Sequence, residues 1–300
     1  MSEKLPTLES TLKSTDTEEF IDIHFYRPIG YWWALFFNKL GITPNQITIA
    51  SIFIGVAAGV CFYFNELWIK ILGVILLIWA NSYDSADGQL ARMTGRKSEL
   101  GRILDGTCGI LWFFAIYIAL ALNQFPEWGY YIVALVLVSG YFHGIQTRMA
   151  DYYRNIHLLF LKGRRGSELD NSKEVKARYE AMRWKSGFIK KLFELNYFDY
   201  TRQQEKMTPR FQEMINKISE KYGGEVLPGS LREEFRSKSL PLMKYTNMLS
   251  FNLRAIVLCL SVLAGCPWVY FVFEITVMNI MLAYMVWAHE RICREFTERL

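Results

Sequence analysis

Residues 69–91 read IKILGVILLIWANSYDSADGQLA, a run whose first part is mainly apolar and whose last part contains two aspartates. Its length is close to the roughly 20 residues that an α-helix needs to cross the hydrocarbon core of a bilayer. Asp84 and Asp87 stand at the end of the same run. Because acidic groups at membrane depth are costly, the stretch predicts a membrane helix with a functional group at one end.

Five other apolar stretches of similar length flank this run, at roughly 45–67, 101–122, 128–150, 243–264 and 267–288. Hydrophobic residues make up 52% of the chain, which exceeds the usual share in soluble domains. These stretches predict an all-α integral membrane protein, a bundle of six transmembrane helices. The net charge of +5 and the lack of a basic stripe with interleaved aromatics argue against a nucleic-acid partner.

Lysine and arginine are distributed unevenly between the segments that connect the stretches. The short segments 65–68, 123–128 and 265–268 contain neither residue, whereas Lys97, Arg164 and Arg165 lie in the segments of the opposite side. The excess of basic residues marks the cytoplasmic side of membrane proteins. We therefore expect a multi-pass protein of the bacterial inner membrane with both termini in the cytoplasm.

The order of polar and apolar segments predicts five regions. They are a flexible polar N-terminus (1–22), an interfacial amphipathic helix (23–40), transmembrane helices 1–4 with the acidic motif (41–158), a cytoplasmic helical insertion (159–242), and transmembrane helices 5–6 with a basic tail (243–300). Tryptophan and basic residues in the second region favour the headgroup level. The insertion has the spacing of two or three amphipathic helices, which form either a solvated cap or a lid or homodimer contact.

The cysteines follow no recognisable ligand spacing. Cys61, Cys108, Cys259, Cys266 and Cys293 form neither a CxxC pair nor a zinc-ligand pattern, and most lie in apolar runs. We expect them to act as small buried hydrophobic residues.

Three carboxylates are predicted to meet at the cytoplasmic end of a helix pair. Asp84, Asp87 and Ala91 share one helix face because they stand at i, i+3 and i+7, and Gly101 and Asp105 are one turn apart on the next helix. A solvated structural cluster and a transport path are the alternatives. A hard divalent cation, Mg²⁺ or Mn²⁺, best offsets the mutual repulsion of such carboxylates, so a metal site is favoured.

The same residues resemble a family signature. The CDP-alcohol phosphotransferase family carries DxxDGxxAR, then eight residues, then GxxxDxxxD. The matching positions here are Asp84, Asp87, Gly88, Ala91, Arg92, Gly101 and Asp105, and Thr43-Pro44-Asn45 also resembles the family. The similarity covers roughly residues 24–150 and 243–290.

The resemblance implies a phospholipid-synthesis transferase in which an acceptor hydroxyl attacks a CDP-linked donor and CMP leaves. It implies that Asp84, Asp87 and Asp105 bind the metal and are catalytic. It further implies a nucleotide site of Asp84, Asp87, Gly88, Ala91, Arg92 and Gly101. The donor is either CDP-diacylglycerol with an acceptor such as inositol phosphate, or a soluble CDP-alcohol with a lipid hydroxyl as acceptor.

One position departs from the signature. Gly109 stands where the family has a fourth aspartate, the proposed general base for the acceptor hydroxyl. A well-placed base contributes about 10²–10⁴ in rate. A catalytically impaired homologue that binds nucleotide or lipid is therefore an alternative, and His143 and Asp151 are candidate substitute bases.

Three arginines near the same membrane face are candidates for binding the acceptor or its phosphate: Arg148, Arg154 and Arg254. Arg254 lies inside an apolar run, where an arginine needs a partner or a wet cavity. A structural ion pair is the alternative for Arg254, and snorkelling to the interface is the alternative for Arg148 and Arg154.

Overall fold

The computed structural model describes residues 7–11, 14–96, 98–163, 167–182, 187–223 and 228–300. Every regular element in these ranges is helical, as predicted. Four short segments depart from α-geometry: Glu9–Thr11, Asp22–Tyr26, Leu240–Leu242 and Glu274–Met278. The α-helices are α1 (Arg27–Lys39), α2 (Pro44–Cys61), α3 (Leu67–Thr94), α4 (Glu99–Trp128), α5 (Tyr130–Lys162), α6 (Ser172–Ala181), α7 (Phe188–Met207), α8 (Pro209–Tyr222), α9 (Gly229–Ser239), α10 (Met243–Met248), α11 (Phe251–Leu263), α12 (Trp268–Phe273) and α13 (Asn279–Thr297).

Five helical stretches of the described chain have the length and apolar character of membrane spans: Pro44–Cys61, Leu67–Thr94, Ile103–Trp128, Gly229–Leu263 and Trp268–Thr297. They coincide with five of the six predicted spans. The predicted fourth span falls in α5, whose second half carries the polar residues Gln146, Arg148 and Asp151. The protein is thus a multi-pass helical membrane protein, and the predicted fourth span stays a prediction.

The helices form two compact units. The first, which we call the motif unit, contains residues 1–141 and 252–275, and the second, the insertion unit, contains residues 142–251 and 276–300. Lys97, Arg164 and Arg165, which support the predicted charge asymmetry, lie outside the described residues, as do residues 1–6 and 12–13 of the predicted N-terminal region. The predicted five-region boundaries and the membrane orientation stay predictions.

Small residues bring α2 close to α4 in the motif unit. A Cβ atom on Gly59 would lie 2.9 Å from the backbone nitrogen of Ile116, and one on Gly55 would lie 2.1 Å from the indole of Trp112. The Trp112 indole N–H also donates to the Ser51 carbonyl at 3.0 Å. Glycine is used in this way between membrane helices because it lets backbones approach closely.

Large apolar side chains form an exposed stripe along α4, with one residue per turn: Ile110, Phe114, Ile118 and Leu122. A stripe of this kind would be unfavourable in water and fits contact with lipid. Helix α1 is also two-sided, since Ala34 and Phe37 are buried against Ile47 and Ala86 while Trp32 is 71% exposed. Its predicted place at the membrane surface stays a prediction.

Within the predicted insertion (159–242), the described residues form four α-helices after the end of α5, namely α6 to α9, where the sequence pattern predicted two or three. Helix α8 has the clearest apolar face and buries Phe211, Met214 and Ile218. By contrast, α6 buries only Val175, so its apolar periodicity is too weak for a sequence-based prediction. Helix α6 packs with α7, and α8 packs with α13.

Candidate active site

The structure brings the three predicted carboxylates together. Helix α3 carries Asp84 and Asp87, α4 carries Asp105, and one oxygen from each lies within 4.8 Å of the others. Asp87 is 4% exposed, Asp84 is half-buried and Asp105 is exposed. Three oxygen donors around one point are the ligand type that hard divalent cations prefer, so these residues fit a metal site.

The buried carboxylate is fixed by a residue that the sequence analysis missed. The hydroxyl of Thr48, on α2, donates to Asp87 Oδ2. Both side chains are buried, so the bond is protected from competition with water. The sequence signal for this role is weak, because Thr48 is one of several polar residues in the first half of α2.

Gly101 lies where the N-termini of α2 and α4 meet. The Ser98 hydroxyl caps α4 by accepting from the Gly101 backbone N–H at 2.9 Å, and it donates to Asn45 Oδ1 at 3.3 Å. A Cβ atom on Gly101 would lie only 2.7 Å from the same Asn45 oxygen. A side chain at this position would therefore displace the Asn45 amide, which gives a structural reason for glycine at a motif position that was assigned by resemblance.

The motif residues Gly88, Ala91 and Arg92 lie on the last turns of α3. A Cβ atom on Gly88 would lie 3.3 Å from Arg92 Nη1, so the arginine folds back over the glycine. Arg92 Nε donates to the Thr11 carbonyl, while its buried Nη2 has no hydrogen-bond partner within the described ranges. The motif arginine thus retains a donor that a phosphate or base could use.

The described part of the N-terminal region contacts the same unit. Glu18 accepts two hydrogen bonds from Arg27, at 2.8 and 3.1 Å. Asn252, on α11, donates to Glu19 at 2.8 Å and to Asp22 at 2.9 Å. These contacts, with the one between Thr11 and Arg92, hold Thr11 and the stretch from Glu18 to Arg27 in the motif unit, and the flexibility of residues 1–22 stays a prediction.

Arg254 has a different environment from the one predicted for an acceptor-binding residue. It is fully buried and forms an ion pair with Glu274, which also accepts from Tyr270 at 2.8 Å and from Ser139 at 2.5 Å. This arrangement matches the alternative of a structural ion pair, and the phosphate-binding role of Arg254 stays a prediction. Glu274 lies in an apolar run and was not singled out from the sequence.

Arg148 and Arg154 belong to the insertion unit. Arg148 Nη1 donates to Gln203 at 2.6 Å and its guanidinium lies 5.4 Å from the Tyr200 ring centroid. Arg154 donates to Ser250 at 2.8 Å. Both side chains are therefore held by polar neighbours, and their predicted role in acceptor binding stays a prediction.

Asp151, a candidate substitute base, accepts a hydrogen bond from Tyr200 at 3.0 Å. Burial raises the pKa of Tyr200 well above its usual value, and the neighbouring Asp151 carboxylate raises it further. The phenol thus stays protonated and serves as a stable donor to Asp151.

A cavity of about 330 Å³ lies in the motif unit, lined by Phe37, Ile42, Gln46, Ile47, Ala50 and Tyr83. Tyr83, which directly precedes Asp84 on α3, is one of these lining residues. Its lining is apolar except for the Gln46 amide and the Tyr83 hydroxyl. A hydrocarbon chain is the kind of group that such a lining accommodates.

Comparison with known proteins identifies the class of the segment that carries these residues. Residues 41–155 match the sequence model of the CDP-alcohol phosphatidyltransferase family, which confirms the resemblance indicated by the motif. Among curated relatives, the archaetidylinositol phosphate synthase of Pyrococcus horikoshii is 37% identical over 34% of this chain and 52% of its own length. The phosphatidylinositol phosphate synthase of Corynebacterium glutamicum is 36% identical over 23% of this chain and 31% of its own length.

A third relative is the bifunctional IPC transferase and DIPP synthase of Aquifex aeolicus, which is 33% identical over 29% of this chain and 20% of its own length. The chain thus spans between a fifth and about half of the length of these curated relatives. The similarity therefore concerns the segment 41–155, which carries the acidic motif.

Proposed function

We propose that this protein is an integral-membrane transferase that moves a substituted phosphate group from a CDP-linked donor to an alcohol and releases CMP. The observation that carries the proposal is the convergence of Asp84, Asp87 and Asp105 within 4.8 Å, in the segment that matches the family. Isolated carboxylates at helix ends are common, but three at one point require a counter-charge.

The three carboxylates are suited to Mg²⁺ or Mn²⁺, because both ions prefer oxygen ligands and bind through a few carboxylates plus substrate phosphates. When bound, such an ion neutralises the charge that develops on the leaving phosphate. Thr48 holds Asp87 in one orientation, so this ligand is preorganised. Asp84 and Asp105 provide the other protein oxygens.

The remaining motif residues would border the nucleotide. Gly88 and Ala91 lie beside Arg92 on α3, and Arg92 offers to the donor its Nη2, which has no partner among the described residues. The acceptor oxygen then attacks the phosphorus on the diester side, the bond to the bridging oxygen breaks, and CMP leaves with that oxygen. Positioning and electrostatic stabilisation supply most of the rate enhancement in such a site.

CDP-diacylglycerol is the donor that we favour, with a small anionic acceptor such as inositol phosphate. Two of the three relatives described are named as synthases of inositol phosphate lipids. The apolar cavity that Phe37, Ile47 and Tyr83 line is suited to an acyl chain, which a soluble CDP-alcohol lacks.

We further propose that the protein lies in the inner membrane with its basic face in the cytoplasm. We also propose that the insertion forms a homodimer contact.

The proposal can be tested by measuring CMP release from CDP-diacylglycerol with purified full-length protein, Mg²⁺ and a panel of acceptors. Inositol phosphate should give the highest rate, and inositol, glycerol phosphate and serine should give lower rates. A second series should combine CDP-inositol or CDP-choline with diacylglycerol. Activity in the second series alone would reverse the assignment of donor and acceptor.

The matched control is the variant with Asp84→Asn, Asp87→Asn and Asp105→Asn, which keeps the size of each side chain and removes its charge. Calorimetry should show CMP binding that depends on Mg²⁺ or Mn²⁺ in native protein and is absent in this variant. Metal-dependent binding that survives in the variant would show that the ion binds elsewhere.

A non-catalytic nucleotide- or lipid-binding protein is the second candidate, because Gly109 replaces the expected base. It predicts metal-dependent CMP binding without CMP release for any acceptor. The two measurements above therefore separate the candidates.

A further inference from the structure

A second cluster of ligand-type side chains lies in the insertion unit, on α13. His289, Glu290 and Cys293 each place one ligand atom within 4.8 Å of the other two. His289 and Cys293 stand one helical turn apart, a spacing that differs from CxxC. His289 and Cys293 are buried and Glu290 is half-buried.

The separation of the two strongest ligands suits one ion. His289 Nδ1 and Cys293 Sγ lie 3.6 Å apart. A tetrahedral Zn²⁺ with bonds of about 2.0–2.1 Å to nitrogen and about 2.3 Å to sulfur holds these atoms about 3.5 Å apart. The ligand geometry therefore needs little rearrangement to accept an ion of this size.

The imidazole of His289 is buried, and its Nδ1 is the nitrogen that faces Cys293. The side chain is 1% exposed, and its Nε2 has no hydrogen-bond partner among the described residues. The Tyr153, Phe211 and Phe235 rings surround it, with centroids 4.6, 5.8 and 6.0 Å from the imidazole. An ion between His289 and Cys293 would take the lone pair of Nδ1, so the imidazole would keep its proton on Nε2 among these rings.

The third ligand is already oriented. Glu290 accepts hydrogen bonds from the backbone N–H groups of Arg210 at 2.7 Å and Phe211 at 3.3 Å, at the start of α8. Metal-binding carboxylates are typically fixed by such outer contacts. The carboxylate thus connects the N-terminus of α8 with the His289–Cys293 pair on α13.

We infer that His289, Glu290 and Cys293 form a metal site of zinc type, distinct in chemistry from the oxygen site of Asp84, Asp87 and Asp105. A thiolate and an imidazole select Zn²⁺, Co²⁺ or Cd²⁺ over Mg²⁺. Binding forms a metal–sulfur bond and releases the thiol proton of Cys293 to solvent. Three protein ligands leave a fourth position for water, and the ion would strengthen the packing of α8 on α13.

Co²⁺ titration of the purified full-length protein tests the inference, because a cobalt–thiolate bond gives a charge-transfer absorption that carboxylate sites do not. Native protein and the Cys259→Ser control should show this band with about one Co²⁺ per chain, and Cys293→Ser should lose it. Glu290→Gln keeps one of the two oxygen acceptors for the α8 N–H groups, so it should still fold yet bind Co²⁺ at least roughly 10-fold more weakly. His289→Gln should weaken binding similarly.

Absence of the band in native protein, or its survival in Cys293→Ser, would overturn the inference. Equal Co²⁺ affinity in native protein and Glu290→Gln would show that the carboxylate only caps α8. A second measurement needs no variant: Cd²⁺ should slow alkylation of Cys293, located by mass spectrometry, and equal rates with and without Cd²⁺ would contradict the site. These readouts report on sulfur, so their failure is distinct from a failure of the proposed transferase.

Discussion

Arg254 on α11 donates to the carboxylate of Glu274, and neither side chain has any exposed surface. Tyr117, Tyr270 and Ser139 donate to the same carboxylate, so the acid is surrounded by donors. Separating such a pair leaves an uncompensated charge in a low-dielectric interior. Removal of one partner of a buried ion pair typically costs about 3–5 kcal/mol.

We therefore predict that Arg254→Met and Glu274→Met each lower the free energy of unfolding by about 3–5 kcal/mol, and that the double variant loses much less than the sum. Chemical unfolding in detergent, followed by circular dichroism, measures the effect. If Arg254 instead binds the acceptor phosphate, Arg254→Met should raise the acceptor KM and leave unfolding unchanged, which would contradict the structural role.

A second prediction concerns the hydroxyl that orients Asp87. Thr48→Val preserves the shape of the side chain but removes its donor, so one oxygen of a buried carboxylate loses its partner. We expect the affinity for metal-dependent CMP binding to fall by roughly 10–100-fold, as is usual when the outer partner of a metal ligand is lost. Thr48→Ser keeps the donor and should stay close to native. Equal calorimetric affinities for native protein and Thr48→Val would show that Asp87 needs no such orientation.

Two glycines of α4 offer a matched pair for testing the close approach at the α2–α4 junction. A Cβ atom on Gly101 would lie 2.7 Å from Asn45 Oδ1, whereas one on Gly106 would have no neighbour within 4 Å. Gly101→Ala should displace Asn45 and reduce CMP affinity and stability. Gly106→Ala should leave CMP affinity unchanged and should raise stability by up to about 1 kcal/mol, because alanine has the higher helix propensity. The same response from both variants would mean that the Asn45 contact is unimportant.

The predicted orientation can be tested by labelling with an impermeant thiol reagent. Ser167 lies in the basic insertion, but it is partly buried and donates to the Asn155 carbonyl at 2.7 Å. Ala177, an exposed residue of α6, is the better position for a cysteine. We expect Ala177→Cys to react only after cells are permeabilised, while native Cys266, in a segment without lysine or arginine, reacts in intact cells. The reverse pattern would overturn the orientation.

The sequence predicted the features that depend on local periodicity. Asp84 and Asp87 could be placed on one face because helical geometry relates positions three residues apart, and Asp105 joined them through a short hairpin. The apolar runs gave five of the spans for a similar reason, since bilayer thickness sets their length.

Contacts between distant segments could not be predicted in this way. Thr48 and Asp87 are 39 residues apart, and Glu274 is 157 residues from Tyr117, so these pairs depend on how helices pack. A partner for Arg254 was expected, but Glu274 was not identified as that partner because it lies in an apolar run. The His289–Cys293 pair was missed for another reason: its spacing of one helical turn is common and indicates a ligand only when burial is known.

The last prediction concerns Gly109, where the family signature has an aspartate. It stands one helical turn after Asp105, on the same face of α4. A Cβ atom at Gly109 would have no neighbour within 4 Å, so a side chain can be added without overpacking. A carboxylate there would lie near the predicted ion and the acceptor, where it could accept the hydroxyl proton. We predict that Gly109→Asp raises the rate of CMP release by roughly 10-fold or more.

Two controls separate a base from a simple change of size or charge. Gly109→Asn has similar size without the negative charge, and Gly106→Asp adds the same carboxylate at another open position of α4. An increase with Gly109→Asp alone supports the missing base, because only that variant combines charge and position. Equal rates in native protein and Gly109→Asp would mean that another group, such as Asp151 or His143, already accepts the proton or that proton removal does not limit the rate. No CMP release from either protein, with metal-dependent CMP binding intact, would favour the non-catalytic candidate, since a restored base cannot rescue a site that does not hold its acceptor.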